Sequence, residues 1–444
     1  MVRRTARSAV TARPARPAST VHSDIRGAAR LAVDATAGLT DLVEAMHQRI
    51  ASAPGASASD GRRPERTTGI TGLVYKSIRG VTSLVGGSVD ALLGLLEPLL
   101  ASVPPRPQRE AIVAALNGVL GDHLAASRNP LATVMALRQN GRALTLERKA
   151  LQARFPLANG RLIVLLHGLC MNDLQWLRES QGPDENRDHG AALAARLDAT
   201  PLYLRYNSGL RIPENGRQFA SLMAQLLAAW PVPVERLVLL GHSMGGLVAR
   251  SALAQAQDAG QAWPQQVTDL VCLGTPHFGA PLERAGHGVD VLLSHTPYAA
   301  PLARLARVRS AGITDLRHGR VRPIGAASPA GGADTTDAAE ATEATEAAAE
   351  APLPLPTGPR CYAIAGCLGS HSQSLRARLA GDGLVPVDSA LGLHPDAARA
   401  LHFAADRRWV AQGVNHMALL GDSGVGAQLM SWLAPPDAAV LPTG

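Results

Sequence analysis

The segment from Arg236 to Arg250 constrains the fold more than any other part of the chain. Four consecutive apolar residues, Leu237, Val238, Leu239 and Leu240, run straight into Gly241-His242-Ser243-Met244-Gly245-Gly246. A short apolar run without alternation suits a strand buried on both faces of a parallel sheet. The Gly-x-Ser-x-Gly pattern after it suits a sharp strand-to-helix turn whose serine hydroxyl projects above the carboxyl edge of that sheet. In a chain with 43 glycines such a pattern could also arise by chance as an ordinary tight turn. The flanking strand and helix signals favour the nucleophile elbow.

The chain from Ala143 onward fits such a sheet. Strand-like runs at Ala143 to Glu147, Arg161 to Leu166, Pro201 to Tyr206, Arg236 to Leu240, Asp269 to Gly274, Cys361 to Gly366 and Leu401 to Ala404 alternate with helical stretches at about 214–230, 244–259 and 424–433. This rhythm predicts an α/β fold, a mostly parallel doubly wound sheet with helices on both faces. No strand is evident before Ala143. Apolar residues at helical spacing mark helices over Leu39 to Ile50, about Ile70 to Ala101 and Ile112 to Leu124, and Asn129-Pro130 offers a cap and first-turn proline for a fourth.

The expected organisation is a disordered basic tail over 1–23, a helical region over 24–140 and an α/β domain over 141–435. Inside that domain, 281–323 carries two short amphipathic stretches, Val289 to Leu293 and Leu302 to Val308, that suit either a lid over the site or ordinary packing helices. Residues 325–358 are mostly Ala, Thr, Glu and Pro and predict a solvated, disordered insertion.

Charge and composition exclude some classes. A net charge of +7 invites a nucleic-acid reading, but aromatic residues make up 3% of the chain and no basic run is interleaved with stacking side chains. Only Lys76 and Lys149 among the 43 basic residues are lysines, so the basicity reflects arginine-rich coding, as in a GC-rich bacterial genome. Cys170, Cys272, Cys361 and Cys367 lack metal-ligand spacing, and Cys272 and Cys361 fall in apolar runs, as reduced core thiols would. The N-terminal arginines precede no apolar core of a signal peptide, and the most lipophilic window, Val81 to Ala101, is interrupted by Asp90, Glu97 and Pro98. The expectation is a cytoplasmic protein, with weak peripheral membrane contact as the minority outcome and an oligomeric state that the sequence leaves open.

A serine becomes a useful nucleophile only when a base takes its proton, and that base needs a carboxylate to hold its tautomer. After the elbow, Gly381-Asp382-Gly383-Leu384-Val385-Pro386 and Asn415-His416 supply them in that order. Asp382 is preferred to Asp388 because its flanking glycines suit a loop presenting a carboxylate. His416 is preferred to His277, which follows a strand directly in Gly274-Thr275-Pro276-His277 and suits wall-building, and to His242, whose side chain points away on an elbow. The oxyanion donors expected are the backbone N–H of Met244, just after the nucleophile, and that of Leu169 in His167-Gly168-Leu169-Cys170-Met171, with Cys170 as the neighbour that could replace it. His167 ahead of that turn is expected to be structural.

These motifs, in this order, resemble the lipase and esterase branch of the α/β-hydrolases over about residues 143 to 435. The Gly274-Thr275-Pro276-His277 piece is similar to that of bacterial triacylglycerol lipases and of the inositol-deacylase-like group, whose eukaryotic members remove an acyl chain from GPI anchors. The resemblance implies hydrolysis of acyl-chain esters through an acyl-serine, without cofactor or metal. A thioesterase or polyester depolymerase would use the same machinery. A non-catalytic lipid-surface or partner-binding protein on the same fold is the reading from a different class.

Overall fold

The computed structural model describes residues 107–126, 128–129, 131–177, 188–279, 310–322, 352–369 and 375–434. The basic tail, the first two expected helices, the Val81 to Ala101 window, the amphipathic stretches at 289–308 and the insertion up to residue 351 lie outside the described residues.

The strands are β1 (Ala136–Gln139), β2 (Arg142–Ala143), β3 (Arg161–Leu166), β4 (Thr200–Arg205), β5 (Arg236–His242), β6 (Val267–Leu273), β7 (Arg360–Cys367) and β8 (Arg408–Gln412). They form one sheet in the order β2-β1-β4-β3-β5-β6-β7-β8, and every pair from β4 to β8 is parallel. The β1–β2 hairpin and the β1–β4 pair are antiparallel. Order reverses at β3, which lies between β4 and β5, and the carboxyl ends of β3 and β5 are where an open α/β sheet of this kind places its ligand site.

The helices are α1 (Pro107–Ala126), α2 (Arg148–Arg154), α3 (His189–Leu197), α4 (Ile212–Ala229), α5 (Met244–Asp258), α6 (Ala311–His318), α7 (Leu375–Ala380), α8 (Val387–Ala390) and α9 (Ser423–Leu433). Alternation along the strands sends side chains to two faces, and both are covered. Ile163, Leu165, Val238, Leu240, Val271 and Ile364 form one core with Leu193 and Leu197 of α3 and Val425, Leu429 and Leu433 of α9. The other face is covered by α4 and α5, which pack on each other and bury Phe219, Met223, Leu247 and Val248. Because β3 and β5 are buried on both faces, their sequences show no alternation.

Several sequence expectations need correction. The strand at Ala143 to Glu147 is instead a hairpin centred on Asn140-Gly141, both at positive φ (50° and 70°), and its first strand lies in the region expected to be helical. Asn-Gly is a strong two-residue hairpin signal. No helix follows Asn129, since the described residues 131–135 are irregular. The strand at Leu401 to Ala404 is irregular too. Leu401 and Phe403 are buried as alternation predicts, yet the Leu401 N–H donates to the Gly392 carbonyl rather than to a sheet neighbour. The sheet's last strand comes later, at Arg408–Gln412, where half-exposure at an edge dilutes the apolar signal.

The domain boundary also moves. Residues 107–128 belong to the same compact unit as 132–434, so α1 is built into the α/β body rather than set apart from it. Of the 281–323 segment, residues 310–322 are described; they hold α6, whose N-cap Ser310 donates from Oγ to the Gly118 carbonyl of α1 at 2.7 Å. The expected insertion ends before 358, because Leu353 is buried and its carbonyl accepts from Arg250. Among the described residues no helix is long and apolar enough to cross a membrane.

Candidate active site

Ser243, Asp382 and His416 come from the carboxyl ends of three strands of the sheet, β5, β7 and β8. β5 ends at His242, and Ser243 links it to α5 with φ 53° and ψ −122°, a left-handed conformation that is costly for a non-glycine residue. The Ser243 N–H donates to the Leu273 carbonyl at 2.8 Å, and its own carbonyl accepts from the Gly246 N–H at 3.1 Å. The turn is tight enough that a Cβ on Gly245 would lie 2.7 Å from the His167 carbonyl oxygen, so only glycine lets α5 start so close to the end of β3.

Asp382 follows β7 on a loop, and His416 follows β8. Nδ1 of His416 is 2.7 Å from Oδ2 of Asp382. The other carboxylate oxygen, Oδ1, accepts from the N–H groups of Leu384 (3.0 Å) and Val385 (2.8 Å), and the His416 N–H donates to the Asp382 carbonyl at 3.0 Å. Both carboxylate oxygens are therefore partnered, and Asp382 is 2% exposed. Asn415 holds the turn after the histidine by accepting from the N–H groups of Met417 (3.1 Å) and Ala418 (2.8 Å). The His416 ring lies beside the elbow, with its centroid 4.7 Å from that of His242.

The competitors lie elsewhere. Asp388 pairs with Arg378 at 2.5 Å, and its side chain is 42% exposed. His277 is buried, with Nδ1 3.0 Å from the Arg250 guanidinium and its ring 5.3 Å from Phe403. Burial, reinforced by the Arg250 charge, holds its imidazole well below the ordinary histidine range, so it stays neutral. Burial likewise brings Arg250 down to about 10. His242 projects from the elbow but does have a partner: its Nε2 is 3.0 Å from the His416 carbonyl oxygen.

At the end of β3, His167 is stacked on Tyr206 with centroids 4.2 Å apart, and its Nδ1 is 2.8 Å from the Gly168 carbonyl oxygen. The Tyr206 N–H donates to Nε2 at 3.3 Å, which places the ring proton on Nδ1. Burial lowers its pKa to about 3, so His167 is a neutral structural group. Gly168 abuts the elbow, where an added Cβ would come within 3.1 Å of the Ser243 Cβ. Of the two residues next along, Cys170 gives its N–H to Ser208 Oγ at 3.1 Å, so that amide is already engaged. Ser208 and Tyr206, whose hydroxyl donates to the His167 carbonyl at 2.7 Å, were not foreseen from the sequence. They lie about forty residues from the turn they hold, and no local pattern marks such a contact.

A serine in an elbow, a histidine oriented by a doubly anchored carboxylate, and a strand-end turn beside them can together move a proton off a hydroxyl and receive a negative oxygen. The elbow follows β5, a central strand of a mostly parallel sheet, beside β3, where strand order reverses. The protein has the α/β-hydrolase fold. Residues 218–337 match the family model described as PGAP1-like alpha/beta domain, a stretch that takes in most of α4, the elbow and β6. No curated protein is a significant sequence match. Among solved structures, Bacillus licheniformis lipase BlEst2 in its mature form is similar with a TM-score of 0.40 and 15% identity, covering 68% of this chain and 98% of that one. Staphylococcus hyicus lipase is similar with a TM-score of 0.33 and 13% identity, covering 62% of this chain and 93% of that one. Epoxide hydrolase VrEH1 from Vigna radiata is similar with a TM-score of 0.32 and 14% identity, covering 62% and 92% respectively. In an α/β-hydrolase the partners of the nucleophile follow it as acid and then histidine, the order in which Ser243, Asp382 and His416 occur.

Proposed function

We propose that this α/β-hydrolase cleaves carboxylic esters through an acyl-serine intermediate. The observation that carries this reading is the 2.7 Å pairing of His416 Nδ1 with Asp382 Oδ2 beside an elbow that holds Ser243 at φ 53°. With Nδ1–H directed at the carboxylate, the other ring nitrogen is left as the base. Ser243 Oγ gives its proton to His416 and attacks the ester carbonyl carbon, and the carbonyl π pair moves onto oxygen. The N–H groups of Leu169 and Met244 receive that oxyanion. When the tetrahedral intermediate collapses, its C–O bond to the alcohol breaks and His416 returns the proton to the leaving alkoxide. Water then repeats the sequence on the acyl-serine and releases the acid. The scheme calls for no cofactor or metal.

An ester of an acyl chain is the substrate class we favour, with a cytoplasmic location as part of the same proposal. Support comes from the acyl-ester motifs around Gly274-Thr275-Pro276-His277 and from apolar stretches in 281–309. A serine-directed fluorophosphonate should label the full-length protein at Ser243 and leave Ser243→Ala unlabelled. Hydrolysis of p-nitrophenyl esters of increasing chain length should then rise towards medium or long chains. Lack of labelling in the wild-type chain would favour a non-catalytic lipid- or partner-binding protein, and a maximum at acetate would remove the acyl-chain proposal.

A further inference from the structure

We infer that helix α1 is part of the oxyanion machinery, and that Gly118 on its inner face is a positioning residue for the turn that presents the Leu169 amide. The inference rests on the ester-hydrolase reading and adds to it a helix outside the stretch matched by the family model.

The contact is close. A Cβ on Gly118 would lie 2.9 Å from both the Cα and the N of Cys170, and nearer still to its Sγ. No side chain fits there without moving the backbone of the turn. Cys170 itself sits at φ 59°, a conformation that a non-glycine residue keeps only when its surroundings hold it. Two contacts do so. Its N–H donates to Ser208 Oγ at 3.1 Å, and its Sγ lies 3.9 Å from the Ala115 carbonyl oxygen, one helical turn before Gly118. Burial pushes the thiol up to about 12, so it is a packed, protonated group rather than a reactive one.

The helix is itself anchored around that contact. The Gly118 carbonyl accepts from Ser310 Oγ at 2.7 Å, and the Gly121 carbonyl accepts from Asn207 Nδ2 at 2.8 Å. Gly121 also packs on the Asn207–Gly209 loop, which carries Ser208, where an added Cβ would be 3.0 Å from Gly209 Cα. At its first turn Glu110 pairs with Arg205, and Arg205 pairs in turn with Asp173, which Arg138 also holds at 3.1 Å. Asp173 opens the short 3-10 helix that follows the turn. The segment bearing Leu169 is thus fixed on both sides through groups that α1 holds.

Pressure from α1 on Cys170 sets where the neighbouring amide points. Losing one oxyanion donor costs about a hundred- to a thousandfold in kcat, so a displaced donor should cost less than that but still act on kcat. In the full-length protein, Gly118→Ala should lower kcat on p-nitrophenyl butyrate about ten- to a hundredfold and leave KM within about twofold. Cys170→Ala, which removes Sγ without adding a clash, should lower kcat a few-fold with the same pattern. Affinity for a trifluoromethyl ketone, whose hemiketal oxygen occupies the oxyanion position, should fall by the same factor as kcat/KM in both. Measurements well below each variant's Tm separate this from loss of folded protein. Wild-type kcat and ketone affinity in a folded Gly118→Ala would overturn the inference. Should Gly118→Ala not fold, the same result in Cys170→Ala would overturn it. Failure of the wild-type chain to take up fluorophosphonate would instead overturn the hydrolase reading beneath it.

Discussion

The imidazole of His242, next to Ser243, donates from Nε2–H to the carbonyl of His416 at 3.0 Å, a contact between residues 174 positions apart. The ring is fully buried, with Trp176 edge-on at 6.4 Å. The backbone of the proposed base is therefore tied to the strand that carries the proposed nucleophile. His242→Phe keeps a ring but removes the donor, and a hydrogen bond of this kind contributes about 1 kcal/mol. It should lower kcat roughly three- to tenfold with little change in KM, as steady-state kinetics would show. An unchanged kcat would mean that the tie has no bearing on turnover.

Asp382→Asn should reduce kcat/KM about ten-thousandfold at neutral pH, because an amide favours the wrong tautomer of His416. Asp388→Asn breaks only an exposed pair with Arg378 and should cost less than about twofold. Ester hydrolysis by the two purified variants tests the assignment, and the reverse ranking would move the acid to 388.

Acid should destabilise the fold through two histidines that it keeps neutral. His167 falls to about 3 from an ordinary 6.5, chiefly by burial, and His277 falls well below 6.5 for the same reason, aided by Arg250. Below pH 6.5 the unfolded chain takes up protons that the folded chain refuses, so stability drops as pH falls from 6.5 towards 3. Urea midpoints between pH 7 and 4.5 should decline accordingly. In His167→Gln the decline should be shallower, and an equal slope in the variant would show that His167 does not contribute.

Trimming the low-complexity segment should be harmless only up to a point. Replacing 325–350 by a short Gly-Ser linker should leave the urea midpoint near that of the full chain, since such a composition cannot offset its own ordering entropy. Extending the deletion through Gly358 removes the Leu353 carbonyl that accepts from buried Arg250. An unsatisfied buried charged donor costs about 1–3 kcal/mol or more, which should appear as a clear fall in the midpoint. Equal midpoints for the two deletions would show that Arg250 finds another acceptor.

Local sequence patterns were sufficient for much of this molecule. An apolar run buried on both faces, a glycine-flanked serine and a helix behind it need only neighbours in the chain, so the elbow, β3, β5, α4 and α5 were legible. Asn140-Gly141 is an equally local hairpin signal, but it sits next to a stretch whose helical spacing points to a helical region. The strand at Arg408–Gln412 was hard to read for a different reason: at a sheet edge, pairing rather than apolarity defines the strand.

The order Ser243, Asp382, His416 and the chemistry those side chains can perform were present in the sequence itself. That Asp382 rather than Asp388 meets His416, and that the Cys170 amide is taken up by Ser208, were decided only by tertiary structure. Those choices depend on hydrogen bonds and steric contacts between segments far apart in the chain, such as Ser208 to Cys170 and α1 to the turn after β3. Residue periodicity reports which face of an element is buried, but it carries no record of what lies across from it.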